Sequence, residues 1–117
     1  MNREIKFRVW NDYDKKMIHW NELLEKNLAN IFTIPSYNKW LMQYIGLHDK
    51  NGKEIYEGDI LKSIQWNDIY LVKQIGIAYY LCRKGKNGFN KITTWNNAEK
   101  SEVIGNIYDN PELLGGE

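Results

Sequence analysis

From Glu4 to Trp10 the chain alternates, with Ile5, Phe7 and Val9 on one face and Glu4, Lys6 and Arg8 on the other. A period of two marks a half-buried β-strand. Turn chemistry from Asn11 to Lys15 and an apolar run from Met17 to Trp20 complete a predicted β-hairpin. Over residues 21–31 the period changes. Asn21 is placed to cap a helix, and Leu23, Leu24, Leu28 and Ile31 recur at a spacing near 3.6. A helix of about eleven residues is marginal alone and must dock on the sheet. Pro35 to Asn38 then reads as a loop.

The β pattern resumes at Trp40. Leu41 to Ile45 is apolar around Gln43 and stops at Gly46. Asn51-Gly52 is a strong hairpin signal, because both residues tolerate positive φ. Ile55-Tyr56 reads as a short strand, Glu57-Gly58-Asp59 as a tight turn, and Ile60 to Trp66 as the next strand. After a turn at Asn67-Asp68, one long strand is expected from Ile69 to Arg83, with Gly76 marking a bulge. Lys84 to Asn90 forms a loop, Lys91 to Trp95 a strand and Asn96-Asn97 a turn. Glu102 to Tyr108 is the last strand, with Gly105 inside it, and Asn110 caps a final turn whose first position is Pro111. Seven or eight short strands with regular turns and one short helix predict a mainly β fold (all-β or β-rich α+β). The simplest forms are a small bent sheet or an SH3-like barrel.

At 117 residues, 43% of them hydrophobic, the chain fits one domain over 1–117 with a real core. Asn, Ile and Lys dominate and Ala is scarce. That bias favours strand over helix, and its AT-rich codons point to a low-GC bacterial or phage genome. A net charge of +1 argues against a general polyanion binder, though it leaves room for a local basic patch. No apolar run approaches the roughly 18–20 residues of a membrane span. The charged N-terminus lacks the apolar core of a signal peptide. A cytoplasmic protein of a bacterial host cell, with no membrane contact, is expected. Cys82 has no partner for an internal disulfide and sits in an apolar stretch, so it reads as a small core residue.

Candidate chemistry is sparse. His19 and His48 fit no metal-ligand spacing, and one Cys cannot complete a Cys/His zinc site. Asp49, Glu54, Glu57 and Asp59 would serve a small metal-assisted enzyme if a hairpin drew them together. Against that, Asp49 and Asp59 stand where turns want a carboxylate for nearby backbone, and Lys50 and Lys53 accompany the glutamates. Arg83, Lys84, Lys86 and Lys91 surround Gly85 and Gly88, with Phe89 and Trp95 close by. Cations for phosphates and rings for bases are what a single-stranded nucleic-acid surface needs. A hairpin tip kept soluble by Lys explains the same residues more simply. No phosphate loop, nucleophile elbow or triad is present, so the expectation is a non-enzymatic protein without a cofactor. Five Trp and eight Tyr exceed what so small a core can hide. Exposed aromatics and open strand edges together predict homo-oligomerisation, or docking on an unidentified host or phage protein.

Three stretches stand out together: Arg3 to Trp10 (REIKFRVW), Met42 to Ile60 (MQYIGLHDKNGKEIYEGDI) and Glu102 to Leu114 (EVIGNIYDNPELL). In combination they resemble the YopX family of phage and prophage proteins. The match runs through the whole chain in order, and its Gly-Leu, Asn-Gly and Tyr-Glu-Gly-Asp block is specific. Ile45 stands where the family often has a small residue, and residues 21–37 match no motif, so 21–39 is treated as a variable helix or loop segment. The resemblance implies a β-rich fold and a phage or prophage setting, and it carries no activity, cofactor or catalytic residue with it. Gly46, Asn51, Gly52, Gly58, Asp59, Gly105 and Pro111 in these blocks read as structural turn positions.

Overall fold

A computed structural model of the protein describes residues 5–25, 41–63, 68–75, 78–85, 88–92 and 96–114, with backbone alone for Lys84, Gly85, 88–92, Asn96 and Asn97. β-branched and aromatic residues dominate these segments and favour strands. Those formed are β1 (Phe7–Asn11), β2 (Lys16–Ile18), β3 (Leu41–His48), β4 (Glu54–Tyr56), β5 (Asp59–Ser63), β6 (Ile69–Ile75), β7 (Ala78–Gly85), β8 (Gly88–Ile92) and β9 (Ser101–Asn106). Helix α1 (Trp20–Leu24) follows β2, α2 (Asn96–Glu99) precedes β9, and a 3-10 turn (Pro111–Leu114) follows β9. The strands make two antiparallel sheets, ordered β2-β1-β3-β4 and β8-β7-β6-β5-β9.

The main core joins the sheets. Ile45 and Ile55 from the first meet Leu61, Tyr70, Val72 and Leu81 from the second, with Ala98 of α2 closing the cluster. A smaller cluster of Val9, Ile18 and Leu23 anchors α1, with Phe7, Trp20 and Leu41 around it. The chain passes from one sheet to the other through Glu57-Gly58. There the Glu57 N–H donates to Gln43 O, the Gly58 N–H to Val72 O, and Gly58 O accepts from Ile107 N–H. Gly58 has φ +89°, and a Cβ there would stand 3.2 Å from Met42 Sδ, so turn and packing both call for glycine.

The β-rich architecture matches expectation, and several elements differ in detail. Nine strands are formed among the described residues, with two short α-helices instead of one. Trp20 opens α1 rather than ending a strand, with His19 in place of Asn21 as the capping residue. The expected turns through Leu28 and Ile31 lie outside the described residues. The run from Ile69 to Arg83 is a hairpin, not one strand, since Ile75 pairs with Ala78; Gly76 is outside the described residues. The expected loop from Lys84 to Asn90 is mostly the next hairpin, with Gly85 paired to Gly88. Asn96-Asn97 starts α2 instead of a turn. In the Asp49–Lys53 loop only Gly52 takes positive φ, +82°, because Asp49 and not an Asn-Gly turn organises it. Gly46 lies within β3, at φ +87°, where the β3–β4 register shifts. Cys82 is buried on β7 as expected. No helix among the described residues is long and apolar enough to cross a membrane.

Candidate functional site

Strand β1 carries charge on a face that is not solvent-facing. Arg8 is 6% exposed and Asp59, at the start of β5, is 2% exposed. Arg8 Nη2 donates to Asp59 Oδ1 at 2.7 Å and to Glu57 O at 3.2 Å, and the Tyr56 N–H donates to Asp59 Oδ2 at 2.8 Å. The guanidinium lies 4.8 Å from the centre of the Tyr56 ring. Burial pushes the Asp59 carboxyl above its ordinary value, while the Arg8 charge and the Tyr56 N–H pull it back. Among the described residues, Arg8 Nε is the one buried side-chain nitrogen or oxygen without a hydrogen-bond partner. An unpaired buried donor costs about 1–3 kcal/mol.

Arg8 also lines an open cleft of about 280 Å³. Lys6, Arg8 and Lys53 supply its cations and Glu54 its carboxylate, with His19, Trp20, Asn21 and Tyr56 completing the wall. Lys6 pairs with Glu54 and reaches over the Tyr44 ring at 5.4 Å from its centre. Lys53 and His19 are exposed on the rim. Trp20 is half-buried, its ring centre 6.0 Å from that of Phe7. The cleft therefore sets one uncompensated cation, Lys53, and two paired ones beside an indole. The sequence signal for it is weak: Lys6 and Arg8 read as the polar face of a half-buried strand, and Trp20 as the end of an apolar run.

The acidic turn does not converge. Asp49 Oδ1 accepts the N–H groups of Asn51 (2.8 Å) and Lys53 (2.9 Å), and its Oδ2 accepts that of Val103 on β9 (2.9 Å). Burial pushes its carboxyl up, but those three N–H groups and the Lys53 charge outweigh it and hold the group below 3.8. Glu54 is tied to Lys6 and Asp59 to Arg8. Glu57 is half-buried, and burial raises its carboxyl above the ordinary value. No group of three or more His, Cys, Asp or Glu is arranged to hold a metal among the described residues. His48 is exposed, its ring edge toward Tyr44 at 6.0 Å.

The basic loop is only partly within the described residues. Arg83 is exposed on β7 opposite Asn90, Lys84 pairs with Phe89, and Lys91 with Cys82. Lys86 and Trp95 lie outside the described residues. Some of the aromatics are expected at the surface, and of those whose side chains are described most are buried or half-buried. Trp10 is buried in a stack on Tyr108, with ring centres 5.5 Å apart, and Tyr44, Tyr56 and Tyr70 are also buried. Tyr13, 95% exposed, is the one large aromatic among the exposed hydrophobics there. Two sheets offer more inward faces than one, which is how these rings are absorbed.

A family model described as YopX protein matches residues 6–115. The crystal structure of protein EF1440 from Enterococcus faecalis superposes with a TM-score of 0.66, covering 97% of this chain and 99% of that one. At 23% identity this likeness concerns the fold alone. No curated protein matches the chain significantly.

Proposed function

The chain belongs to the YopX protein family, and we propose that it is a non-enzymatic accessory protein of a phage or prophage that works in the host cytoplasm as an assembly of its own copies. One observation carries this reading. Both sheets are open among the described residues, with β2 and β4 at the ends of the first and β8 and β9 at the ends of the second. Lys73–Ile75 and Ala78–Tyr80 form a ribbon at the outer end of the β6–β7 hairpin. Ile75 on that ribbon is 42% exposed, and Tyr79 and Tyr80 are half-buried. Open sheet edges offer the backbone groups to accept a further strand, and an exposed Ile adds apolar area to such a contact. The structural duties of Asp49 and Asp59 support a role without catalysis.

Light scattering on the eluting protein at micromolar concentration tests the reading. The expected mass is a multiple of 13.9 kDa. Ile75→Asp is expected to return the protein to the single-chain mass with its melting temperature unchanged. A wild-type monomer at that concentration overturns the proposal.

A further inference from the structure

The cleft beside β1 is separate from the ribbon, and its chemistry is more specific than its size. Three cations line it, and since Lys6 is paired with Glu54 and Arg8 with Asp59, the exposed Lys53 is the uncompensated one. Arg8 is fixed from behind by Asp59 and keeps an unpaired buried Nε donor. Lys53 on the rim is exposed, and the half-buried Trp20 adds a flat apolar wall. One uncompensated cation, a guanidinium with an unused donor and an indole together suit an anion carrying a planar ring. The volume of about 280 Å³ is near the lower end of ligand sites, about 300–1,000 Å³.

We infer that the cleft bounded by Lys6, Arg8, Lys53, Trp20 and Tyr56 binds a single nucleotide unit, its phosphate held by Arg8 and Lys53 and its base against Trp20. The unit comes either free or as one residue of a single strand passing through the open cleft. Either source places nucleotide recognition on the first sheet, away from the basic hairpin at 83–95.

Titration calorimetry on the full chain at low salt is the test, with AMP, adenosine, inorganic phosphate and a short oligo(dT) as probes. AMP or oligo(dT) is expected to bind, with adenosine and phosphate each at least about tenfold weaker. Lys53→Gln, on an exposed side chain, and Lys53→Glu are expected to weaken binding, the latter about tenfold, a loss of about 1.4 kcal/mol. Trp20→Phe should weaken it while keeping a ring against Phe7. Tighter binding of oligo(dT) than AMP, with steep salt dependence, identifies a strand; equal binding identifies a free nucleotide. The inference is overturned if neither probe binds at millimolar concentration, if phosphate binds as well as AMP, or if Lys53→Glu has no effect. It is also overturned if only Lys84→Glu with Lys86→Glu abolishes binding. Each of these outcomes is independent of oligomeric state.

Discussion

Arg8 on β1 and Asp59 on β5 form a buried ion pair at 2.7 Å that fastens one sheet to the other. Its members are 51 residues apart, one in each of two sequence blocks that resemble the family. Removing one partner strands the other charge in the interior, so Arg8→Ala and Asp59→Ala should each cost about 3–5 kcal/mol in urea unfolding. An apolar replacement of both, Arg8→Met with Asp59→Leu, should recover most of that loss. If the single variants cost under about 1 kcal/mol, the pair behaves as an exposed one would and does not fasten the sheets.

Asp49 does different work with the same functional group. Its three N–H partners close the β3–β4 loop and hook it to β9. Asp49→Ala leaves those donors in need of partners, and a loss of about 3 kcal/mol or more is expected. The pH dependence has a definite sign. With its folded value below 3.8, Asp49 binds fewer protons folded than unfolded in the window between. Its contribution is complete above 3.8 and lost as pH falls through the lower folded value. Asp59, raised by burial, works the other way: its linkage contribution is complete below 3.8 and lost as pH climbs through its folded value. Asp49→Asn should therefore flatten the acid limb of the stability profile, and Asp59→Asn should not.

Divalent ions provide a separate check on the acidic turn. Asp49 and Asp59 spend their oxygens on N–H groups and Arg8, so Mg²⁺, Mn²⁺ and Ca²⁺ should leave the melting temperature unchanged. A shift with any of these ions that Asp59→Asn abolishes would restore the metal-assisted reading.

Local structure was legible in the sequence wherever short-range chemistry decides it. The turns at Gly52 and Gly58 and the core position of Cys82 follow from residue type and spacing, whereas the alternation expected of β1 does not hold, since Ile5 is exposed and Arg8 buried. What was not legible depended on pairing between distant segments. The apolar run from Ile69 to Arg83 contains the same residue types whether it stays straight or doubles back, and only the register Ile75 to Ala78 distinguishes the two. Arg8 was read as half of a polar face because alternation reports which side a residue takes, not what covers that side. The β4–β5 turn covers it, through Glu57 O and Asp59. The cleft was hidden for the same reason, since Lys6, Trp20 and Lys53 meet only when β1, α1 and β4 are assembled.

Gly105 is a position where side-chain proximity, not backbone conformation, demands glycine. It pairs with Ile60 where the β5–β9 register shifts. Its φ lies outside the left-handed region, but an added Cβ would come within 2.7 Å of Asn110 Cγ. Asn110 cannot simply swing away, because its Oδ1 accepts the Asn106 N–H at 3.3 Å and its backbone carbonyl accepts the Leu113 N–H of the 3-10 turn. Gly105→Ala should therefore cost about 1–3 kcal/mol, and Asn110→Ala about 1 kcal/mol through the lost acceptor. Asn110→Ala removes the two closest atoms but keeps its Cβ 3.0 Å from the methyl at 105, so the clash is relieved in part and the double variant should be more stable than the sum predicts by about 0.5–1 kcal/mol. Gly52→Ala is the control. Nothing lies within 4 Å of its added Cβ, so only its φ of +82° penalises the change, by about 1–2 kcal/mol, and Asn110→Ala should not alter that cost. Strict additivity for the 105/110 pair in urea unfolding would show that the close approach of Asn110 does not set the requirement for glycine.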